Sequence, residues 1–582
     1  MMVEGLAEYL SIGRIDPHTS MWMRDAVLQD DLPSMKDLNN PKYFPYRYGH
    51  AFWAFVAGLM GDGIIRDYFV NTAKFGLEQS TVATFGIGTK ELSELWHKTL
   101  KEYYQPLMGD QRERPIGKKI IEATSTSRMN IVPVISPNGR YIAFLSERNL
   151  FSVDLFLADA RTGEIIRTLA SATKSTHIDD YSYIESAGAW SPKSNELAIV
   201  GVKKGNNWLI IKDVETGKTI EEFRLEGVPA FSNPSWSPNG KSIVVSGLVD
   251  GQVDLFIVNL NTRQVTRLTN DIYSEVTPSW SPDGAAILFA TDELSFERGR
   301  VNGKWKFNLA ELDVVNSTKE HLAIFLEANN LNPIYDYQGN ILFLSDRDGF
   351  RNLYRYDIAR DVVYQMTDLL TGISGLTPYA PAISLSRSNN RDKVLYTHYW
   401  KGGYDIYIAD QEQFLSKLVN FNEVNMAAAT LPNVVQGARV VVDSNMDKLD
   451  QLPRLDMFDL KKLEYRPKFQ MDYVGGSTGV GIGSFGGFGT MTGAAGGVDL
   501  LFSDVLGNNQ FASTLALNGE ITDFAGVLSY LNRKNRIAWG AALSHVPFRS
   551  ARFYPSRLDN ISLGDGSTAT VIRDDIDIQR IF

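Results

Sequence analysis

The 582-residue chain contains no cysteine. Disulfides, thiolate metal centres and cysteine nucleophiles are therefore excluded, and the redox compartment is left open. Histidine is scarce: the seven are His18, His50, His97, His177, His321, His398 and His545, and no two lie three or four residues apart. A helix that offers two histidines to one metal needs that spacing. No H-E-x-x-H occurs. Positive charge is in deficit, with 58 Lys and Arg against 68 Asp and Glu, which argues against nucleic acid and against a basic membrane-surface protein. Long apolar runs are missing too. The run AFWAFVAGLM, residues 51–60, is half of the roughly 20 residues that a membrane helix requires, so it predicts a core helix. No segment reads as a signal peptide; an exported protein would carry its targeting segment outside these residues.

What is present falls into four textures. Residues 1–110 read as helical. TKELSELWHKTLKEYY places Leu92, Leu95, Trp96, Leu100 and Tyr103 on one face, with Thr89 as N-cap. RYGHAFWAFVAGLMGD predicts a second helix stopped by Gly61.

Residues 118–410 carry a repeat. Its turn reads ISPNG (135–139), WSPKS (190–194), WSPNG (236–240), WSPDG (280–284), YDYQG (335–339) and ISLSR (383–387). Downstream of each lies DLFLAD (154–159), WLIIKD (208–213), DLFIVN (254–259), NLAELD (308–313), NLYRYD (352–357) or DIYIAD (405–410). Pro pre-sets one φ of the turn and Gly accepts a positive one. The alternating runs that follow are strands, four to a unit, and six such units can close a ring. Trp190, Trp236 and Trp280 occupy one repeat position and are expected to pack between units. These copies resemble the TolB-like six-bladed β-propeller family. The resemblance implies a propeller whose loops bind a protein or peptide partner on one face.

Residues 411–466 show weak periodicity and read as a linker with some docked structure. From residue 467 the texture changes again. Residues 471–500 hold 11 glycines, followed by runs of about ten residues with weak alternation. VDLLFSDVLGNNQF resembles the opening of a surface-antigen-type outer-membrane barrel, which implies antiparallel barrel-like strands over 467–582 and an association with the outer membrane. Too few strands fit for a closed barrel, so a continuation past Phe582 is expected.

Shorter motifs have simpler readings. GGSTG (475–479) and GIGSFG (481–486) match a nucleophile elbow and a dinucleotide loop only literally, without the strand–helix context either requires. SDRDG (345–349) hints at a calcium loop but lacks the distal glutamate, and a turn between two strands is favoured. At the start, EGLAEY (4–9) resembles the second ligand-bearing helix of peptidase-MA-like gluzincins. That resemblance implies zinc bound by Glu4, with Tyr48 and His50 as conceivable proton donors. The two histidine ligands and the general base would lie before Met1. The whole therefore reads as mainly β: a helical gluzincin-like remnant, a six-bladed propeller and barrel-like strands. It would be a periplasmic or outer-membrane protein of a Gram-negative, Bacteroidota-type bacterium. No zinc and no peptidase activity are expected of these residues alone; a zinc metallopeptidase extending upstream is the alternative.

Overall fold

The computed structural model describes residues 2–109, 114–149, 152–174, 178–181, 186, 188–301, 303–388, 391–435, 441–451, 464–484, 490–518, 524–535, 537–545, 548–553, 557–562, 564–573 and 576–581. The chain divides into two compact units, Met1–Pro453 and Arg454–Phe582. His177 lies outside the described residues.

The first unit opens with six helices: α1 (Met2–Ile12), α2 (Pro17–Leu28), α3 (Pro45–Met60), α4 (Ile64–Phe75), α5 (Leu77–Phe85) and α6 (Thr89–Met108). Helix α3 is the 51–60 run, buried on nearly every side, with Trp53, Ala54, Val56 and Ala57 fully enclosed. It ends at Gly61, whose φ of 82° is open to glycine at little cost. Helix α6 begins after Gly88, and the Thr89 hydroxyl donates to Glu78 Oε2 (2.6 Å) rather than capping its own helix. Its buried face is Leu92, Trp96, Leu100 and Tyr104. Leu95 and Tyr103 lie at the edge, so the stripe is turned slightly from the predicted one.

The start of the chain is firmly docked, not frayed as an isolated terminal helix would be. A β-carbon on Gly5 of α1 would lie 2.3 Å from the carbonyl carbon of Gly49 of α3, so the two backbones cross in contact. Tyr9, fully buried, donates to Asp62 Oδ1 at 2.7 Å.

Residues 118–419 fold into six antiparallel sheets. The first is β2–β3–β4–β5, from β1 (Lys118–Ile121) onward in chain order β2 (Asn130–Ile135), β3 (Tyr141–Asn149), β4 (Ser152–Asp159) and β5 (Ile165–Ala170). The second holds β6 (Asp180–Tyr181), β7 (Ala189–Trp190), β8 (Glu196–Lys203), β9 (Asn206–Asp213) and β10 (Thr219–Phe223). The third is β11 (Ala230–Trp236), β12 (Ser242–Val249), β13 (Gln252–Asn259) and β14 (Val265–Arg267). The fourth is β15 (Glu275–Trp280), β16 (Ala286–Thr291), β17 (Asn308–Asp313) and β18 (Lys319–Leu322), with a short helix, α7 (Glu293–Arg298), before β17. The fifth is β19 (Asn330–Tyr335), β20 (Ile341–Ser345), β21 (Asn352–Asp357) and β22 (Val362–Gln365). The sixth is β23 (Ile383–Ser388), β24 (Arg391–Trp400) and β25 (Gly403–Asp410), and its fourth strand is β1. Lys118 pairs with Ile408 across that seam.

The Ser-Pro turns join the first two strands of their sheets. Ser136 Oγ donates to Asn138 Oδ1 (2.8 Å) and accepts the Tyr141 N–H (3.0 Å). Ser237 and Ser281 repeat both bonds within their own turns. In YDYQG, Asp336 takes the serine's place and accepts the Gln338 and Asn340 N–H groups. ISLSR is not the turn its place in the repeat suggests: residues 383–387 lie within β23. That copy has neither Pro nor Gly to break a strand. SDRDG is the turn between β20 and β21, where the Gly349 N–H donates to the Asp346 carbonyl.

Residues 411–435 and 441–451 hold docked structure. Strand β26 (Lys417–Val419) extends the fifth sheet beside β22. Beyond it, Leu431 and two residues of α8 (Val442–Met446), Val442 and Met446, enter the helical core. Arg14 donates to the carbonyls of Leu431, Pro432 and Ala54, and Asp62 Oδ2 accepts the N–H groups of Val441 and Val442.

The second unit contains a five-stranded antiparallel sheet: β27 (Phe469–Ser484), β28 (Thr490–Asp504), β29 (Asn509–Asn518), β30 (Phe524–Asn532) and β31 (Trp539–His545). Two further pairs follow, β32 (Phe548–Phe553) with β35 (Ile576–Ile581), and β33 (Arg557–Ser562) with β34 (Thr568–Arg573). Among the described residues these strands close no barrel. GGSTG lies inside β27, and the next element among the described residues is strand β28 rather than the helix an elbow requires. Of GIGSFG, Phe485 and Gly486 lie outside the described residues.

Candidate functional site

The innermost strands of the six sheets, β2, β7, β11, β15, β19 and β23, neighbour one another in that order, and β23 neighbours β2. A central cavity of about 230 Å³ opens among them. All six sheets supply walls, including Val134, Gly188, Asn233, Thr277, Asn332 and Ile383. The wall has a repeated backbone device. Val132, Asn233, Thr277 and Asn332 each adopt φ between 50° and 53°, and each precedes a proline. Register slips at each of these points, between Ile131 and Val134, Ser232 and Ser235, Val276 and Ser279, and Leu331 and Ile334. Such a bulge leaves backbone groups out of the ladder and bends the strand locally. The prolines bring no N–H, and the wall sets them beside Asn, Ser and Thr side chains and apolar residues that include Trp190 and Trp236.

Side-chain bonds tie neighbouring sheets around this cavity. Trp190 Nε1 donates to the Val134 carbonyl (3.2 Å), and Trp280 Nε1 to the Ser235 carbonyl (3.1 Å). Trp236 differs from its expected equivalents: its Nε1 donates to Gly240 within its own turn, and its ring is less buried. Between the last sheet and the first, Ser384 Oγ accepts the Ile135 N–H at 3.0 Å.

The helical segment packs on the opposite ends of these strands from the Ser-Pro turns. Met21 joins the core formed by Ile131, Leu145, Tyr399 and Tyr404. The Trp22 ring lies 4.8 Å from Tyr399, and Asp25 accepts the N–H groups of Lys401 and Gly402.

The residues singled out for zinc chemistry are placed as follows. Glu4 is half-buried on the first turns of α1. His50 is fully buried, and both ring nitrogens are engaged, Nδ1 with the Thr19 hydroxyl (3.0 Å) and Nε2 with the Gly13 carbonyl (2.7 Å). His18 is held likewise by Ser374 Oγ and the Leu376 carbonyl. Burial lowers the pKa of His50 to about 4 and of His18 to about 3. Tyr48 is buried, and desolvation raises its hydroxyl far above the usual range. Among the described residues the cluster of three ligand-type side chains is Asp254, Asp271 and Glu275, remote in sequence from Glu4. Glu4 therefore has no two partner ligands there, and the residues present do not fit a three-ligand zinc site.

Pattern reading of EGLAEY found positions that matter for another reason: Gly5 permits the helix crossing and Tyr9 anchors it. It missed the proline-associated bulges. Their sequence signal is a proline three residues before the first turn residue, Pro133 before Ser136, Pro234 before Ser237, Pro278 before Ser281 and Pro333 before Asp336.

Comparison with known proteins bears on the sheets. Residues 171–295 match the TolB beta propeller domain. A Tol-Pal system protein TolB of Ruthia magnifica subsp. Calyptogena magnifica is 32% identical over 83 residues, 14% of this chain and 19% of that protein. Another, of Francisella tularensis subsp. mediasiatica, is 29% identical over 147 residues, 25% of this chain and 31% of that protein. An uncharacterized protein of Agrobacterium fabrum is 25% identical over 189 residues, 32% of this chain and 60% of that protein. The chain thus spans less than two thirds of each of these relatives. Among solved structures, TolB from Acinetobacter baumannii aligns with a TM-score of 0.32 and 20% identity over 57% of this chain and 72% of that one. The chain contains a TolB-like propeller domain. No helix among the described residues is long and apolar enough to cross a membrane, which leaves strands open.

Proposed function

We propose that this TolB-like propeller protein is a six-bladed binding platform of the Gram-negative cell envelope, taking a polypeptide or envelope-protein partner at its central cavity. The observation that carries the reading is the cavity wall. One strand from every sheet lines it, and four of them carry the same bulge before proline. The helical segment covers the other ends of these strands, so the Ser-Pro side is the side left for a partner. Loops and strand ends on a rigid ring suit recognition better than chemistry, and the wall residues named above include no acid, base or nucleophile pair. The relatives named for the Tol-Pal system support an envelope location and protein partners.

Site-specific photocrosslinking in envelope fractions tests this. A crosslinker at Ser235 or Ser279 is expected to capture a discrete partner, whereas one at Thr262, on an outer turn, is not. Equal capture from both positions, or none from the cavity, would overturn the reading. The alternative, a portion of a zinc peptidase, rests on the resemblance of EGLAEY. It is tested by zinc uptake of the purified chain, which should be absent; stoichiometric zinc lost in Glu4→Ala would restore it. Outer-membrane association through residues 467–582 is part of the same proposal, and fractionation of native and 453-truncated chains tests it.

A further inference from the structure

A second, enclosed cavity of about 60 Å³ lies where the start of α2 meets the fourth and fifth sheets. Its walls are unusual in charge. Lys304, Lys306 and Arg351 line it, together with Asp16 and Asp346. Lys306 is 3% exposed, yet no carboxylate among the described residues lies within the 4.0 Å of an ion pair from its ammonium. Arg351 is similarly buried. Its Nη1 reaches only the Ser374 hydroxyl, at 3.5 Å, and its Nη2 has no hydrogen-bond partner. Lys304 Nζ donates to the Ile15 carbonyl at 2.9 Å.

The two acids also have other partners. Both oxygens of Asp346 accept from Asn329, at 2.8 and 2.9 Å. Asp16 caps α2 through the Thr19 N–H and has Arg47 at 3.5 Å. Three cations thus line the space against two acids; Asp16 shares Arg47 with Glu8, which lies nearer at 3.2 Å, and also feels the charge of Lys304. A buried, unpaired charge costs several kcal/mol. Burial lowers Lys304 to about 8 and Arg351 to about 10, with Asp346 pulling both the other way and Asp16 doing so for Lys304.

We propose that this cavity binds a phosphate group, held by Lys304, Lys306 and Arg351. The size fits: a water needs about 10–15 Å³ on this measure, so the space takes one compact oxyanion and little more. The charge fits an oxyanion, because three cations against Asp16 and Asp346 leave a positive excess, and Lys306 and Arg351 have no carboxylate in ion-pair contact among the described residues. Tetrahedral oxygens can meet donors arriving from two sheets, Lys304 and Lys306 from the segment before β17 and Arg351 from just before β21. Tyr379, a wall residue 45% exposed, marks the side nearest solvent. This site goes beyond partner binding at the central cavity, and either can hold without the other.

The test is titration calorimetry of the full chain with inorganic phosphate, glycerol 3-phosphate and acetate. Inorganic phosphate is expected to bind one to one and acetate at least tenfold more weakly. Glycerol 3-phosphate distinguishes the source: binding as tight as phosphate points to a phosphomonoester, and exclusion to the free ion. Lys306→Met and Arg351→Met should each weaken phosphate at least tenfold. In phosphate-free buffer Lys306→Met should melt no lower than the native chain, since it removes an uncompensated buried charge. Should that variant not fold, broadening of the phosphorus resonance of phosphate by the native chain, lost in Arg351→Met, decides the matter. Absence of phosphate binding by the native chain, acetate binding as tight as phosphate, or affinity unchanged in both variants would overturn the proposal.

Discussion

Gly5 of α1 rests on Gly49 of α3 with no room for a side chain: an added β-carbon would stand 2.3 Å from the Gly49 carbonyl carbon. Neither neighbour can give way, since the obstacle is main chain. Gly5→Ala should therefore destabilise the first unit by about 1–3 kcal/mol or more, the range for overpacked cores. Gly63→Ala is the contrast, because a β-carbon there would meet nothing within 4 Å and its φ is −59°. It should be neutral or slightly stabilising. Denaturant unfolding of both variants checks the pair.

Two truncations separate the units. A chain ending at residue 453 should retain the melting transition of the first unit. A chain ending at residue 410 should lose cooperative melting of the helical segment. It removes Leu431, Val442 and Met446 from the core and leaves Arg14, 4% exposed, without two carbonyl acceptors. Each fully buried apolar side chain alone contributes about 1.5–3 kcal/mol. Limited proteolysis would show early cleavage between α1 and α6 in the shorter chain only.

The tryptophans should not be equivalent. Trp190→Phe and Trp280→Phe each strand a carbonyl of the preceding sheet, at a cost of about 1–3 kcal/mol. Trp236→Phe breaks only a bond within its own turn and should cost less. Equal losses at all three would contradict the assignment of the first two as ties between sheets.

Stability should respond to pH in two opposed ways. His18 and His50 are held neutral, their folded pKa values depressed by burial to about 3 and about 4, against about 6.5 unfolded. Below about pH 6.5 only the unfolded chain gains these protons, so stability falls as pH drops toward 4. Each site adds a slope of at most ~1.4 kcal/mol per pH unit. Glu275 behaves inversely. Burial, with Asp271 nearby, raises it to about 8. Its contribution is complete below about 4.5 and lost as pH rises through 8. Relative to the native chain, Glu275→Gln should therefore gain stability between pH 5 and 8. Melting curves across that span would show the two traces diverging upward; parallel traces would count against a protonated Glu275.

Much of the central architecture was legible because its punctuation is local. Ser-Pro-x-Gly pre-sets φ at its proline and admits a positive φ at its glycine, so three turns could be placed by inspection, and the Ser-Pro of a fourth, where Ser194 takes the positive φ, marked it as well. The sixth copy failed for the same reason, since ISLSR holds no punctuating residue and continues as strand. Pairing between distant segments left no trace: Lys118–Ile121 has nothing in its composition to assign it to a sheet whose other strands begin at Ile383. Residues 411–466 read as a linker with some docked structure because Leu431, Val442 and Met446 follow no period. Their partners are the side chains of α1–α6, which a window along the sequence never sees. The charged cavity was equally hidden, as Lys304, Lys306 and Arg351 read singly as ordinary surface cations.

The seam between β1 and β25, and the late arrival of Leu431 and α8 in a core begun at Met2, set an order of events during synthesis. At 5–20 residues per second, α6 waits on the order of 15–70 s for the strap that covers it. Through that interval the nascent chain displays an apolar helical surface and an unpaired strand. Its safe passage depends on holding factors or slow local collapse. A stalled chain released before residue 446 should be captured by chaperones and degraded, while one released after 453 should escape both.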